Sequence, residues 1–138
     1  MKQKPPINIS LTKRDLDVLN ILWESDDPKT AAQIVKAGPE LTMNTVQAVL
    51  RKLLKNKLVE IAEIVYSGTV LTRSYKPIIS QEDFLLHKMT SEYQSLRKKI
   101  SKVSILSALL DTEEDTARID QDLSDIEELV HNYKKTRH

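Results

Sequence analysis

Thr42-Met43-Asn44-Thr45-Val46-Gln47-Ala48-Val49-Leu50-Arg51-Lys52-Leu53-Leu54-Lys55-Asn56 decides the fold of this 138-residue chain. Val46, Val49, Leu50, Leu53 and Leu54 recur at helical spacing. Asn44, Thr45, Gln47, Ala48, Arg51, Lys52 and Lys55 fall largely on the other side. The pattern predicts a helix from Thr42 or Met43 to Lys55, buried along one face and polar along the other. Asn56 sits where a left-handed residue would end it.

Upstream lie two shorter helices. Thr12-Lys13-Arg14-Asp15 reads as a capping box, and Leu16, Leu19, Leu22 and Trp23 carry a helix to about Glu24. Ser25-Asp26-Asp27-Pro28 is a turn. Thr30-Ala31-Ala32-Gln33 is a second capping box, and Gly38-Pro39 stops the helix that it opens. Before all this, residues 1–10 read as a lead-in, with Pro5-Pro6 opposing helix.

Downstream the period changes. Leu58 to Val65 is β-branched and partly alternating, Ser67-Gly68-Thr69 is a turn, and Val70 to Lys76 is a second strand closed by Pro77. Three helices and a hairpin make the winged variant of the helix-turn-helix. From Ser80 the chain is helical again. Leu85, Met89, Tyr93, Leu96, Ile100 and Val103 form one amphipathic stripe, with a break expected near Ser101 or Ser104. Ile105, Leu106, Leu109 and Leu110 form an apolar knot. Ser124-Asp125-Ile126-Glu127 reads as the cap of a last helix with Leu129, Val130 and Tyr133. The expected fold is therefore mainly α with a small β-hairpin: a winged helix-turn-helix over 1–78, then a helical dimerisation domain over 79–138.

Composition agrees with this order. Leu, Ile, Val and Phe make up 40 of the residues, enough for a core. Two glycines leave no phosphate-cradling loop. The absence of cysteine excludes disulfides, thiolate metal sites and a thiol nucleophile. The longest uncharged run, Leu41 to Leu50, is ten residues, too short to span a bilayer, and the N-terminus does not read as a signal peptide. A cytoplasmic protein without membrane insertion is expected. The net charge of +1 divides unevenly: residues 1–78 carry 12 basic and 8 acidic groups, residues 79–138 carry 9 and 12. A basic front half fits a polyanion, and an acidic, apolar back half fits another task.

In a helix-turn-helix the second helix of the pair enters the major groove of duplex DNA. Asn44 and Gln47 have amides that suit adenine, and Arg51 suits guanine or phosphate. Thr42 and Thr45 are candidates for phosphate or base, Thr30 at the start of the second helix is placed for a phosphate, and Ala48 lies on the same face as Asn44 and Gln47. Lys52, Lys55 and Arg73 are expected to act on phosphate. The wing has little other positive charge, and Glu60 and Glu63 oppose it. The back half has few aromatics and little else to pack on. Leu85, Met89, Tyr93, Leu96, Ile100, Leu106, Leu109, Leu110, Ile126, Leu129 and Val130 are therefore expected at a homodimer interface. Catalysis has no support: His87, His131 and His138 are scattered, and no metal-ligand motif or cofactor site is expected.

Several segments together resemble the penicillinase repressor family. They are Leu11-Thr12 through Leu22-Trp23-Glu24, Thr45-Val46 with Leu50, Leu53 and Lys57-Leu58, Tyr75-Lys76-Pro77-Ile78-Ile79-Ser80-Gln81-Glu82, and Leu123-Ser124 with Glu127. The resemblance implies a homodimeric bacterial repressor that binds a dyad operator through a winged helix and dimerises through three C-terminal helices. It also implies release by a sensor-protease pathway that cuts the dimerisation domain, commonly at an Asn-Phe bond. No Asn-Phe pair exists here, and the corresponding region reads Val103-Ser104-Ile105-Leu106-Ser107-Ala108. Copper-responsive relatives use cysteine pairs, which this chain lacks. Where the family's wing often carries Gly-Arg, this one has Gly68-Thr69. Two alternatives stay open: a winged-helix protein-interaction module, and a DNA-binding regulator released by a small molecule near Pro77 to Leu85 rather than by proteolysis.

Overall fold

A computed structural model describes residues 10–137; the expected lead-in lies almost wholly outside them. The elements run α1 (Lys13–Glu24), β1 (Lys29–Thr30), α2 (Ala31–Ala37), α3 (Met43–Lys55), β2 (Val59–Ser67), β3 (Val70–Pro77), α4 (Gln81–Leu96), α5 (Lys102–Asp111) and α6 (Thr116–Thr136). The fold is mainly α with a small hairpin sheet, as expected. The chain divides into two compact units, one ending at Thr90 and the other beginning at Ser91.

Both expected capping boxes form. The Thr12 hydroxyl accepts from the Asp15 N–H at 3.2 Å, and the Thr12 N–H donates to Asp15 Oδ2 at 2.8 Å. Thr30 and Gln33 do the same for α2 at 3.2 and 2.9 Å. These bonds satisfy donors that a helix start leaves open. The end of α3 differs from expectation in one residue. Asn56 keeps φ at −93°, its side-chain amide donating to the Lys52 carbonyl, while Lys57 takes the left-handed conformation at φ 59°. The Lys57 and Leu58 N–H groups then return to the Leu54 and Leu53 carbonyls at 3.1 and 2.9 Å. This is a Schellman closure, set one residue later than the Asn suggests.

The hairpin turns at Gly68, whose φ of 67° suits a residue without a Cβ. The β2–β3 register pairs Ile64 with Arg73 and Tyr66 with Leu71. A bulge falls between Ile61 and Glu63, fastened by the Ser74 hydroxyl, which donates to the Glu63 carbonyl at 3.1 Å. Two-residue β1, which periodicity does not show, adds a third strand in the order β1-β3-β2.

The first unit's core joins Val18, Leu19 and Leu22 of α1, Ile34 of α2, Val46, Val49, Leu50 and Leu53 of α3, and Leu58 and Val59 leading into β2. Each such side chain contributes about 1.5–3 kcal/mol by leaving water. Ile79 and Phe84 complete it from beyond the hairpin. Trp23 fixes that extension: its indole N–H donates to the Ile79 carbonyl at 2.9 Å, and its ring lies 5.5 Å from that of Phe84. The first unit therefore continues into α4, past the boundary expected after residue 78.

In the second unit the break expected near Ser101 forms, while the last helix starts earlier than expected. The break in the long stripe spans residues 97–101, where the Lys99 and Ile100 N–H groups both return to the Leu96 carbonyl. Ser101 then caps α5. The last helix starts eight residues before Ser124, because Asp115 caps it at the Ala117 N–H, 3.0 Å away. No residue of α5 or α6 is buried. Among the described residues no helix is long and apolar enough to cross a membrane.

Candidate nucleic-acid interface

The α3 helix enters from the turn Gly38–Leu41, closed by the Leu41 N–H to the Gly38 carbonyl at 2.9 Å. Pro39 suits the second position of such a turn. Thr42 caps α3: its hydroxyl accepts from the Thr45 N–H at 3.2 Å and donates to the Thr45 hydroxyl at 2.9 Å. The two hydroxyls therefore hold each other at the helix start.

From there the exposed face runs Asn44, Gln47, Ala48, Arg51, Lys55, all of them exposed. Offsets of 3, 4, 7 and 11 residues from Asn44 keep these on one side of a helix with 3.6 residues per turn. Opposite them Val46, Val49, Leu50 and Leu53 are buried. The face is thus oriented by the core that its reverse side fills. No side chain of Asn44, Gln47, Arg51 or Lys55 has a hydrogen-bond or ion-pair partner among the described residues.

Two of the expected residues are not available to this face. Thr30 is 6 % exposed, and its hydroxyl is taken by the α2 cap. Lys52 lies on the flank of α3, with its ammonium on the Asp15 carboxylate and the Ser10 carbonyl. Both are corrections to the set named from sequence: the first residue is buried by its own cap, the second is drawn inward by a buried carboxylate. Met43, 38 % exposed beside Gln47, is the residue that sequence reading missed. Its signal was an apolar residue standing outside the apolar stripe.

Arg73 is exposed on the hairpin, opposite Ile64. Around it Ile64, Tyr66 and Leu71 are also exposed. Lys76 is paired with Glu60 at 3.3 Å. The wing therefore offers one unpaired cation on an apolar face.

A family model, that of the penicillinase repressor, matches residues 11–132. The chain belongs to the penicillinase repressor family. Penicillinase repressors are DNA-binding transcriptional repressors, which are regulators rather than enzymes. No curated protein shows significant similarity to the chain. Among solved structures, the MepR–DNA complex of S. aureus shares 21% identity over 74% of this chain and 80% of its own, with a TM-score of 0.44. The zinc-responsive MarR family member ZitR of Lactococcus lactis shares 14% identity over 95% and 82%, with a TM-score of 0.44. PerR of Streptococcus pyogenes, described for peroxide sensing and gene regulation, shares 19% over 51% of this chain and 49% of its own, with a TM-score of 0.41. This chain thus spans about half the length of that PerR. The family match, not these distant likenesses, makes the assignment.

The residues expected at a dimer interface lie along α4, α5 and α6. Leu85, Met89, Leu96, Ile100, Leu106, Leu109, Leu129 and Val130 are exposed, and Tyr93, Leu110 and Ile126 are half-buried. Val103, Leu123 and Tyr133 are exposed as well. Phe84, one residue before the expected start of the stripe, turns inward instead. Within the Pro77–Leu85 segment, Ile79 and Phe84 are buried in the first unit's core.

Proposed function

We propose that the chain acts as a homodimer on a dyad operator in duplex DNA, with α3 of each protomer in the major groove. The observation that carries this reading is the α3 face, on which four polar side chains share one side and have no partner among the described residues. Buried against a base pair, Asn44 or Gln47 would give bidentate readout of adenine, and Arg51 of guanine. Met43 and Ala48 would offer apolar contact to a thymine methyl. Lys55 and Arg73 would neutralise phosphate, and Thr42 with Thr45 would hold the helix end against the backbone.

Dimerisation through α4, α5 and α6 gives the exposed apolar side chains somewhere to go. A unit with no buried side chain of its own gains little on folding alone, and pairing removes that apolar area from water. Two copies about a two-fold axis also match the symmetry of a dyad site. We place the DNA-binding unit before the dimerisation unit along the chain, in the cytoplasm where the operator lies. Release through a sensor-protease pathway fits this layout if the cut falls at a bond other than Asn-Phe.

The test is a gel shift with DNA from upstream of the chain's own gene, over a salt series. Retardation at low salt that falls steeply as salt rises is the expected result, because released counterions drive binding. Absence of retardation at low salt would sink the proposal. Sedimentation at micromolar concentration tests the second half, a stable monomer being the outcome that refutes it.

A further inference from the structure

A cavity of about 290 Å³ opens between α1 and the turn that joins α2 to α3. Its apolar lining includes Ile21, Ala37 and Leu41, and its polar lining includes Arg14, Asp17 and Glu40. The wall at Gly38 is bare backbone: a Cβ there would stand 2.4 Å from Leu41 Cδ1 and 3.2 Å from Ile21 Cδ1. Leu41 thus folds directly beneath the turn.

The charges in this cavity are unbalanced. One guanidinium nitrogen of Arg14 serves both carboxylates, at 3.1 Å from Asp17 Oδ2 and 3.3 Å from Glu40 Oε2. The second oxygen of each carboxylate has no partner among the described residues. Two carboxylates against one cation leave the polar side negative. An anion entering here meets like charge, and a neutral apolar molecule leaves the free oxygens unused. A compact organic cation with a flat apolar body uses both sides of the cavity.

We propose that this cavity is a binding site for a small aryl or alkyl cation of the amine or amidine class. The cation shares Asp17 and Glu40 with Arg14 and lays its apolar body on Ile21 and Leu41. The position gives the site a lever. Glu40 stands two residues before Thr42, the cap of α3, and the Arg14–Glu40 pair ties that turn to α1. A ligand that draws Glu40 toward itself loosens this tie at the end of α3 that would meet the bases. Binding of ligand and of DNA then oppose each other, equally in both directions. This second step rests on the proposed function; the binding itself does not.

The probe is benzamidine, titrated into the full chain and followed by amide NMR, with uncharged benzamide as control. Saturable shifts are expected at the Arg14, Asp17, Gly38 and Leu41 amides in roughly the millimolar range, with benzamide at least about tenfold weaker. The double change Asp17→Asn, Glu40→Gln removes the charge at one half-buried and one exposed position and should weaken benzamidine by a similar factor. No saturable shift, equal binding of benzamide, or indifference to the double change would each overturn the site. Saturating benzamidine should also lower retardation of upstream DNA several-fold. Unchanged retardation overturns the coupling, whereas a chain that retards no DNA at all overturns the functional reading and leaves the titration to decide the site.

Discussion

The Lys52 ammonium of α3 stands 2.5 Å from the Asp15 carboxylate of α1, whose side chain is only 4% exposed. The same carboxylate oxygen accepts the Thr12 N–H that opens α1. One buried oxygen thus caps one helix and locks it to the helix that presents the polar face. Burial pushes the Asp15 carboxyl up, but the Lys52 ammonium and the Thr12 donors outweigh it and hold the group below its ordinary range.

That direction fixes a pH dependence. The folded protein holds the Asp15 proton less tightly than the unfolded chain, so the stabilisation is complete above the unfolded value, about 3.9. It is lost as pH falls through the lower folded value. Asp15→Asn should cost about 1–3 kcal/mol at pH 7, since Lys52 is partly exposed and finds water. At a pH low enough to protonate the wild-type group too, the difference should shrink. Urea unfolding at both pH values checks this; equal losses would refute the charge argument.

On the proposed α3 reading face, base readout and phosphate contact would separate by salt and by sequence. Gln47→Ala and Arg51→Ala should each reduce the preference for upstream DNA over random DNA by about 1–3 kcal/mol. Lys55→Ala should weaken both DNAs alike and lower the salt slope by about one. Lys52→Met, by contrast, should act through stability. Fluorescence anisotropy with both DNAs over a salt series distinguishes the three, and a Lys52 change that alters only the salt slope would return Lys52 to the DNA-facing set.

Leu129 is 54% exposed on α6, so a charge there does not disturb a core within the protomer. If the proposed dimer pairs through this face, Leu129→Glu should give a monomer in sedimentation at micromolar concentration and weaken retardation of upstream DNA with it. Retained dimer would move the interface off this face of α6.

Lys57 holds φ at 59° without the freedom of glycine. Lys57→Gly should raise stability by about 0.5–1 kcal/mol, the relief of left-handed strain exceeding the added chain entropy. The thermal midpoint checks it; a lower midpoint would mean that the stem of Lys57 contributes more than its strain costs.

Features carried by a few neighbouring residues were legible in the sequence. Thr12 with Asp15, Thr30 with Gln33, and the α3 stripe all form as read, because caps and helical faces need only residues three or four apart. What was missed depends on distant partners. β1 is two residues long and exists through pairing with Tyr75 and Ser74. Phe84 turns inward because Trp23 waits on α1, which spacing within α4 does not reveal. Thr30 and Lys52 read as DNA-facing by type and position, yet one is buried in its cap and the other bound to an acid 37 residues away. The start of α6 was misplaced because Ser124 makes an equally good local cap inside a longer helix.

Trp23 is the chain's single tryptophan, and its indole is bonded to Ile79 and set against Phe84. The protein therefore carries a single tryptophan fluorophore, excitable apart from its four tyrosines, at the seam where α4 joins the first unit. Its emission reports whether that seam is seated or wetted, by wavelength and by quenching, without any label. Titrating DNA or denaturant while watching one residue would show whether α4 stays docked as the rest of the chain responds.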